Sequence, residues 1–125
     1  MLTRRLLGVT LVVLIASVAS CSSDDGSAVP AGPFDGTTGV ALYAQACATC
    51  HGTDLMGTGD GPPLLDRIYE PGHHPDVAFV AAAMMGARSH HWDFGDMPRI
   101  EGISEEQLQA IIEYVREEQR AAGIE

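Results

Sequence analysis

The feature that most constrains this chain is the run Cys47-Ala48-Thr49-Cys50-His51, a C-x-x-C-H pattern. Two thiols spaced three positions apart lie on one side of a helical turn, where each can form a thioether with one vinyl group of a haem. The histidine that follows can then ligate the iron. A chain with this pattern has to fold around a large apolar body, and we predict one covalently attached haem c.

The same two cysteines also allow readings without haem. A bare C-x-x-C pair is compatible with a zinc site or with a redox-active disulfide. This chain has no second cysteine pair and no strand–helix context of the thioredoxin type around Cys47 and Cys50. His51 directly after Cys50 therefore favours haem over a haem-free thiol or metal module.

The first twenty residues have the composition of an export signal. Arg4 and Arg5 precede an uncharged, mostly apolar run over residues 6–19, which is short for a membrane span of about 20 apolar residues. The sequence Val18-Ala19-Ser20-Cys21 resembles the lipoprotein box of bacterial signal peptides. That resemblance implies cleavage before Cys21 and acylation of its sulfur. An ordinary secreted protein and an uncleaved anchor are the alternatives.

These segments divide the chain into three parts. We expect residues 1–20 to be a lipoprotein signal peptide, residues 21–36 a flexible tether rich in Ser, Asp, Gly and Pro, and residues 37–125 the folded domain. Several acyl chains on Cys21 would anchor the protein stably. The expected location is therefore extracytoplasmic, on the periplasmic side or outer face of a bacterial cell membrane.

The charge of the chain restricts its partners. The formal net charge is −10, and the chain contains no lysine. Removal of residues 1–20, whose charged residues are Arg4 and Arg5, makes the charge more negative by two. Such a surface is unsuited to binding nucleic acid or bare anionic lipid by charge. It favours a partner with a basic or uncharged docking face, unless the acidic residues serve solubility alone.

Three stretches carry helical patterns, and strand patterns are absent from the sequence. The first begins after Thr37 or Thr38 as N-cap and runs into the C-x-x-C-H motif. The second begins near Pro75 and contains the apolar residues 77–87. The third begins at the capping box over residues 104–107, S-x-x-Q. The predicted fold class is all-α.

The third helix has the clearest amphipathic pattern. Its apolar residues recur at helical spacing, and Gly123 is expected to end it. Arg116 is expected on the polar side together with the neighbouring glutamates. The predicted apolar face consists of Leu108, Ile111, Ile112 and Val115.

A haem iron held by His51 has a sixth coordination position, and its occupant separates electron transfer from ligand binding or catalysis. Met97 is the best candidate, because Pro98 constrains its backbone and it is far enough along the chain to reach the opposite face of the ring. Met56 is too close to His51 to do so. A histidine in place of Met97 is the alternative.

The other candidates have simpler interpretations. Met84 and Met85 lie in an apolar helix and are expected to pack in the core. The pairs His73-His74 and His90-His91 lie in polar loops and are expected to be exposed to solvent. Trp92 closely precedes the ligand loop, so it is a candidate for lining the haem edge.

With these residues identified, the chain resembles a class I monohaem cytochrome c of the bacterial type over about residues 39–123. The stretch over residues 90–94 departs from that family, because it is bulkier than the usual glycine-rich approach to the distal methionine. The positions that match the family pattern are Gly39, Tyr43, Cys47, Cys50, His51, Gly52, Gly61, Pro62, Pro63, Leu64, Met97, Pro98 and Tyr114.

The resemblance implies a small cytochrome c fold of three to five helices packed around the haem. It also implies that the last helix crosses the first near Gly39, Tyr43 and Tyr114, where a glycine lets another backbone approach closely. It further implies that Cys47 and Cys50 hold the haem by thioethers, that His51 and Met97 ligate the iron, and that the carbonyl of Pro62 receives the proximal histidine. Methionine ligation favours the ferrous state relative to a second histidine, so the potential is expected to be positive.

The function implied is that of an electron carrier, not an enzyme. The expected partners are a membrane quinol- or oxidase-type complex or a dehydrogenase, and the protein is expected to be a monomer or a complex subunit. Two alternatives remain. One is a haem sensor or peroxidase-like enzyme with an open sixth iron site. The other is a cytochrome subunit of a larger oxidoreductase complex.

Overall fold

A computed structural model describes residues 34–125, and five helical segments make up the regular structure of these residues. Within these residues no strand forms, and one isolated antiparallel bridge joins Ala87 to Met97. The prediction of an all-α fold with three to five helices is confirmed. The helices are α1 (Gly39–Ala46), α2 (Ala48–His51), a 3-10 helix (Arg67–Tyr69), α3 (Asp76–Met85) and α4 (Glu105–Ala121).

The predicted N-terminal segments lie largely outside this region. The signal peptide over residues 1–20, Cys21 and the tether up to residue 33 are outside the described residues. Among residues 34–125, no helix combines the length and the apolar character needed to cross a membrane.

Helices α1 and α4 cross at Gly39. The Thr38 hydroxyl caps α1 by accepting a hydrogen bond from the Ala41 amide. A Cβ on Gly39 would lie 2.1 Å from the Ala110 carbonyl oxygen, so only glycine permits this approach of the two helices. Beside the crossing, the rings of Tyr43 and Tyr114 pack with centroids 5.5 Å apart. The expected crossing of the first and last helices near an aromatic pair is confirmed.

Helix α4 begins and ends at the predicted signals. The Ser104 hydroxyl accepts from the Gln107 amide, and the Gln107 side chain accepts from the Ser104 amide, both at 3.1 Å. After Ala121, Gly123 adopts a positive φ of 76°. The predicted apolar face is buried and belongs to the core, through Leu108, Ile111, Ile112 and Val115.

Arg116 is buried, which contradicts its predicted place on the polar side of α4. The residue is 7% exposed. Its guanidinium donates to Asp76 Oδ1 at 2.7 Å, to the Tyr69 carbonyl at 2.7 Å and also to the His74 carbonyl. A buried arginine is tolerated because its fixed donors are satisfied in this way. The contacts attach the segment before α3 to α4.

The prediction that Met84 and Met85 pack in the core is wrong. These two residues are 40% and 75% exposed. They occupy the last turn of α3, which contributes Ala83 to the core and ends before Gly86 at a φ of 82°. The helix thus ends before the apolar run over residues 77–87 does. Because apolar residues occur all round α3, the sequence pattern did not indicate which side of the helix is buried.

Candidate functional site

The C-x-x-C-H motif occupies a break between two helices. Helix α1 ends at Ala46 and does not run through the motif, because Cys47 leaves the helical region at φ −122°. The single turn of α2 follows and closes at Gly52, whose positive φ of 81° favours glycine. The buried Tyr43 hydroxyl donates to the Gly52 carbonyl at 2.8 Å, and burial raises the pKa of this phenol, which keeps the proton in place. The turn is thus fixed to α1.

His51 is held in one orientation by a proline carbonyl. Its Nδ1 lies 2.9 Å from the Pro62 oxygen, and because a carbonyl can only accept, Nδ1 must carry the proton. Burial lowers the pKa of His51, although the bond to Pro62 opposes this shift. The neutral ring therefore keeps its lone pair on Nε2, which is the form that a metal requires.

The loop that carries Pro62 packs directly on the motif. A Cβ on Gly61 would lie 2.9 Å from the Cys50 carbonyl oxygen, so the backbones approach more closely than a side chain allows. The Thr58 hydroxyl donates to the same carbonyl at 2.7 Å. The loop and the motif form one unit, and this unit sets the position of the His51 ring.

The two cysteines of the motif are free thiols in partly buried positions. The pKa of Cys47 is raised to about 12, mainly by burial and to a smaller extent by the neighbouring Cys50. Cys47 is therefore a protonated thiol at neutral pH. Cys47 lines the adjoining cavity, whereas Cys50 lies outside that lining. Reduced thiols are the state from which thioethers form.

A cavity of about 450 Å³ lies beside the motif. It brings together four predicted site residues besides Cys47, namely His51, Pro62, Trp92 and Met97. Most of its remaining wall is apolar, as a ligand with a large hydrocarbon surface requires. Helices α1, α3 and α4, the loop that carries Pro62 and the 87–97 loop all contribute to it. Its apolar lining includes Leu64, Ala82, Ala83, Leu108, Ile111 and Val115.

Met97 is positioned by its backbone. Its amide and carbonyl exchange hydrogen bonds with those of Ala87, at 2.8 Å and 3.0 Å, and this pair closes the 87–97 loop at its neck. The neck packs on Gly86, where a Cβ would lie 2.9 Å from the Met97 carbonyl oxygen. The amide of Ile100 donates to the Ala83 carbonyl at 2.8 Å, which fixes the chain after Met97 to α3.

Two aromatic residues of the cavity wall were missed by sequence reasoning. Tyr69 stacks on Trp92 with ring centroids 5.9 Å apart and an interplanar angle of 22°. The Tyr69 ring also packs against Phe79, again with 5.9 Å between the centroids. Burial raises the pKa of Tyr69 to about 12. Nothing in the local pattern around Tyr69 or Phe79 marks them, because their partners are distant in sequence.

The two histidine pairs come together in space. His73, His90 and His91 are exposed as expected, but His74 is half-buried. The Nε2 atoms of His73 and His91 are 3.3 Å apart. Sequence reasoning treated the pairs separately, since neither pair carries a signal that points to the other.

The helices, the apolar cavity and the neutral histidine beside two free thiols define a small all-α haem protein. Residues 37–119 match the family model described as "Cytochrome c", and the chain belongs to the cytochrome c family. Its cofactor is covalently bound haem c, and the arrangement of Cys47, Cys50 and His51 fits that group. It is therefore a haem electron-transfer protein.

The chain is also similar to a protein described as "Cbb3-type cytochrome c oxidase subunit CcoP" from Rhodobacter capsulatus. The two are 33% identical over 97 residues, which cover 71% of this chain and 31% of that subunit. The chain thus spans about a third of the length of this relative. No solved structure matches the chain.

Proposed function

We propose that this protein is a class I, bacterial-type monohaem cytochrome c that carries single electrons between membrane-associated redox partners. His51 and Met97 are the axial ligands in this proposal. The observation that carries it is the shared cavity, whose wall includes the Nδ1-tethered His51 and the backbone-fixed Met97. Bound haem supplies reversible one-electron exchange at its iron.

Each residue of the site has a separate task in this proposal. Cys47 and Cys50 hold the haem by thioethers, and Pro62 keeps the His51 ring in the tautomer that presents Nε2. The Ala87–Met97 pair holds the methionine sulfur within reach of the cavity. Trp92, stacked on Tyr69, closes the wall against water, and this exclusion supports a stable six-coordinate iron.

The partners we propose are a quinol- or oxidase-type membrane complex or a dehydrogenase. The similarity to an oxidase subunit favours the oxidase-type complex, either as a docking partner or as an assembly that includes this chain. The acidic surface, with a net charge of −10, suits a basic docking face on that partner. No substrate needs to bind at the iron for this role.

A potentiometric titration of the purified, haem-loaded protein tests the carrier role. We expect one reversible transition that fits a single electron, at a positive potential, because methionine ligation favours the ferrous iron. The haem should remain on the polypeptide after denaturing electrophoresis. A transition that needs two electrons, or haem that separates from the chain on denaturation, would contradict the proposal.

We also propose that the domain is tethered to the outer face of a bacterial membrane by lipid on Cys21. Replacement of this residue, Cys21→Ser, should move the protein from the membrane fraction to the soluble fraction without changing its visible spectrum. The matched control is Ser27→Ala in the same tether, which should stay membrane-bound. The mass of the wild-type protein should show cleavage before Cys21 and added acyl chains.

The same experiment separates the two other interpretations of the N-terminus. A wild-type protein that is cleaved but already soluble identifies an ordinary secreted protein. A Cys21→Ser variant that remains fully in the membrane fraction identifies an uncleaved anchor. Either result would contradict lipidation.

A further inference from the structure

Four imidazoles gather beside the cavity, although they come from two separate segments. His74, His90 and His91 line the cavity, and His73 lies outside its lining. His73 and His74 lie between the 3-10 helix and α3, while His90 and His91 lie in the 87–97 loop. The ring centroids of His73 and His91 are 5.2 Å apart, as are those of His74 and His91. His90 packs on His91 with centroids 4.2 Å apart. None of the four is required by the proposed attachment or axial ligation of the haem.

Three of these side chains have the spacing of a metal site. One ring nitrogen from each of His73, His74 and His91 lies within 4.8 Å of the other two. Two nitrogens bound to one tetrahedral zinc ion at about 2.0–2.1 Å lie roughly 3.3 Å apart. The His73 and His91 Nε2 atoms already have that separation, at 3.3 Å. We propose that His73, His74 and His91 bind one divalent transition-metal ion of the zinc or copper class, separate from the haem iron.

The orientation of His74 supports this assignment. Its Nδ1 lies 2.6 Å from the Ile68 carbonyl oxygen and must donate to it, which leaves the lone pair on Nε2. A ring fixed through one nitrogen by a backbone carbonyl is the usual state of a metal-binding histidine. The rings of Tyr69 and His74 pack with their centroids 5.0 Å apart, and the Arg116 guanidinium donates a hydrogen bond to the His74 carbonyl. Both the ring and the backbone of His74 are therefore held in place.

The chemistry of the donors selects the class of ion. Among residues 34–125, no imidazole of this cluster forms a hydrogen bond or ion pair with a carboxylate. Neutral imidazole suits zinc, copper and nickel, whereas magnesium and calcium need oxygen ligands. His90 offers a further nitrogen, because its Nδ1 lies 2.8 Å from the Arg88 carbonyl oxygen and its Nε2 is left with the lone pair. A bound ion would join the 87–97 loop to the segment before α3.

Calorimetric titration of the haem-loaded protein, freed beforehand of zinc and copper, with zinc chloride tests the proposal. We expect one zinc ion per chain, and magnesium should not compete. The variant His73→Gln should weaken zinc binding at least 10-fold. Loss of a residue that only hydrogen-bonds to a metal ligand already lowers metal affinity by about 10-fold or more, and His73 is itself a proposed ligand. His73 is the appropriate first choice because it is exposed and lies outside the cavity lining. His91→Gln is the second variant, with the same expected loss.

A matched control and a spectroscopic signature complete the test. Asp60→Asn removes an exposed potential ligand elsewhere on the surface and should bind zinc as the wild type does. With copper, the electron paramagnetic resonance spectrum should show nitrogen couplings that diminish in His73→Gln. Zinc binding that is absent from the wild type, or undiminished in His73→Gln and His91→Gln, would overturn the proposal. Because the haem spectrum is recorded on the same samples, this failure is distinguishable from failure of the carrier role.

Discussion

Replacement of Met97 by alanine is expected to open the sixth coordination position of the iron. The sulfur-to-iron band of the ferric protein should disappear, and the ferrous protein should bind carbon monoxide. The potential should fall by on the order of 0.1 V, within the roughly 0.8 V over which axial ligands tune haem proteins. Spectra of both oxidation states and a redox titration measure these changes.

The structure gives reasons to expect that Met97→Ala still folds. Met97 is joined to Ala87 through backbone atoms, and an alanine at position 97 can keep both hydrogen bonds. The matched control is Met56→Ala, since Met56 is 59% exposed in the loop after the C-x-x-C-H motif. Its spectrum and potential should equal those of the wild type. A Met97→Ala protein that keeps the sulfur band and excludes carbon monoxide would show that another residue ligates the iron.

The variant Gly39→Ala is expected to lose about 3 kcal/mol of unfolding free energy, the upper part of the range for overpacked cores. The new methyl group would lie 2.1 Å from the Ala110 carbonyl oxygen and 2.7 Å from the Tyr114 Cβ, so α1 and α4 would have to separate. Alanine gains about 1 kcal/mol of helix propensity over glycine, which is too little to offset this clash. Denaturant unfolding of the haem-loaded protein measures the difference.

Gly59→Ala is the matched control for this substitution. Gly59 lies in a loop, its φ is not in the positive region, and a Cβ there would meet nothing within 4 Å. Its unfolding midpoint should stay close to that of the wild type. If Gly39→Ala is as stable as Gly59→Ala, then the close crossing of α1 and α4 is not a feature of the folded protein.

The parts of the fold that were predictable depend on local signals. The capping box at Ser104 and Gln107, the apolar face of α4 and the glycine after it are all set by residues within one helix. The close approach at Gly39 was also predictable, because a glycine at a helix surface before the C-x-x-C-H motif leaves room for another backbone. The attachment motif itself is local in the same sense.

The parts that were missed depend on partners far along the chain. Arg116 is buried because its guanidinium finds hydrogen-bond acceptors far away in the sequence. They are the Asp76 carboxylate and the carbonyls of Tyr69 and His74. His73 and His91 come together across 18 residues. In both cases the side chain is polar, and its environment is decided by tertiary contacts that periodicity does not encode.

The proposed electron-carrier function requires a six-coordinate iron with His51 and Met97 as its ligands. The most direct measurement is the visible spectrum of the ferrous wild-type protein after exposure to carbon monoxide at neutral pH. We expect the ferrous spectrum to stay unchanged, because the methionine sulfur occupies the sixth position. Rapid formation of a carbon monoxide adduct would contradict it and would identify a haem sensor or a peroxidase-like enzyme instead.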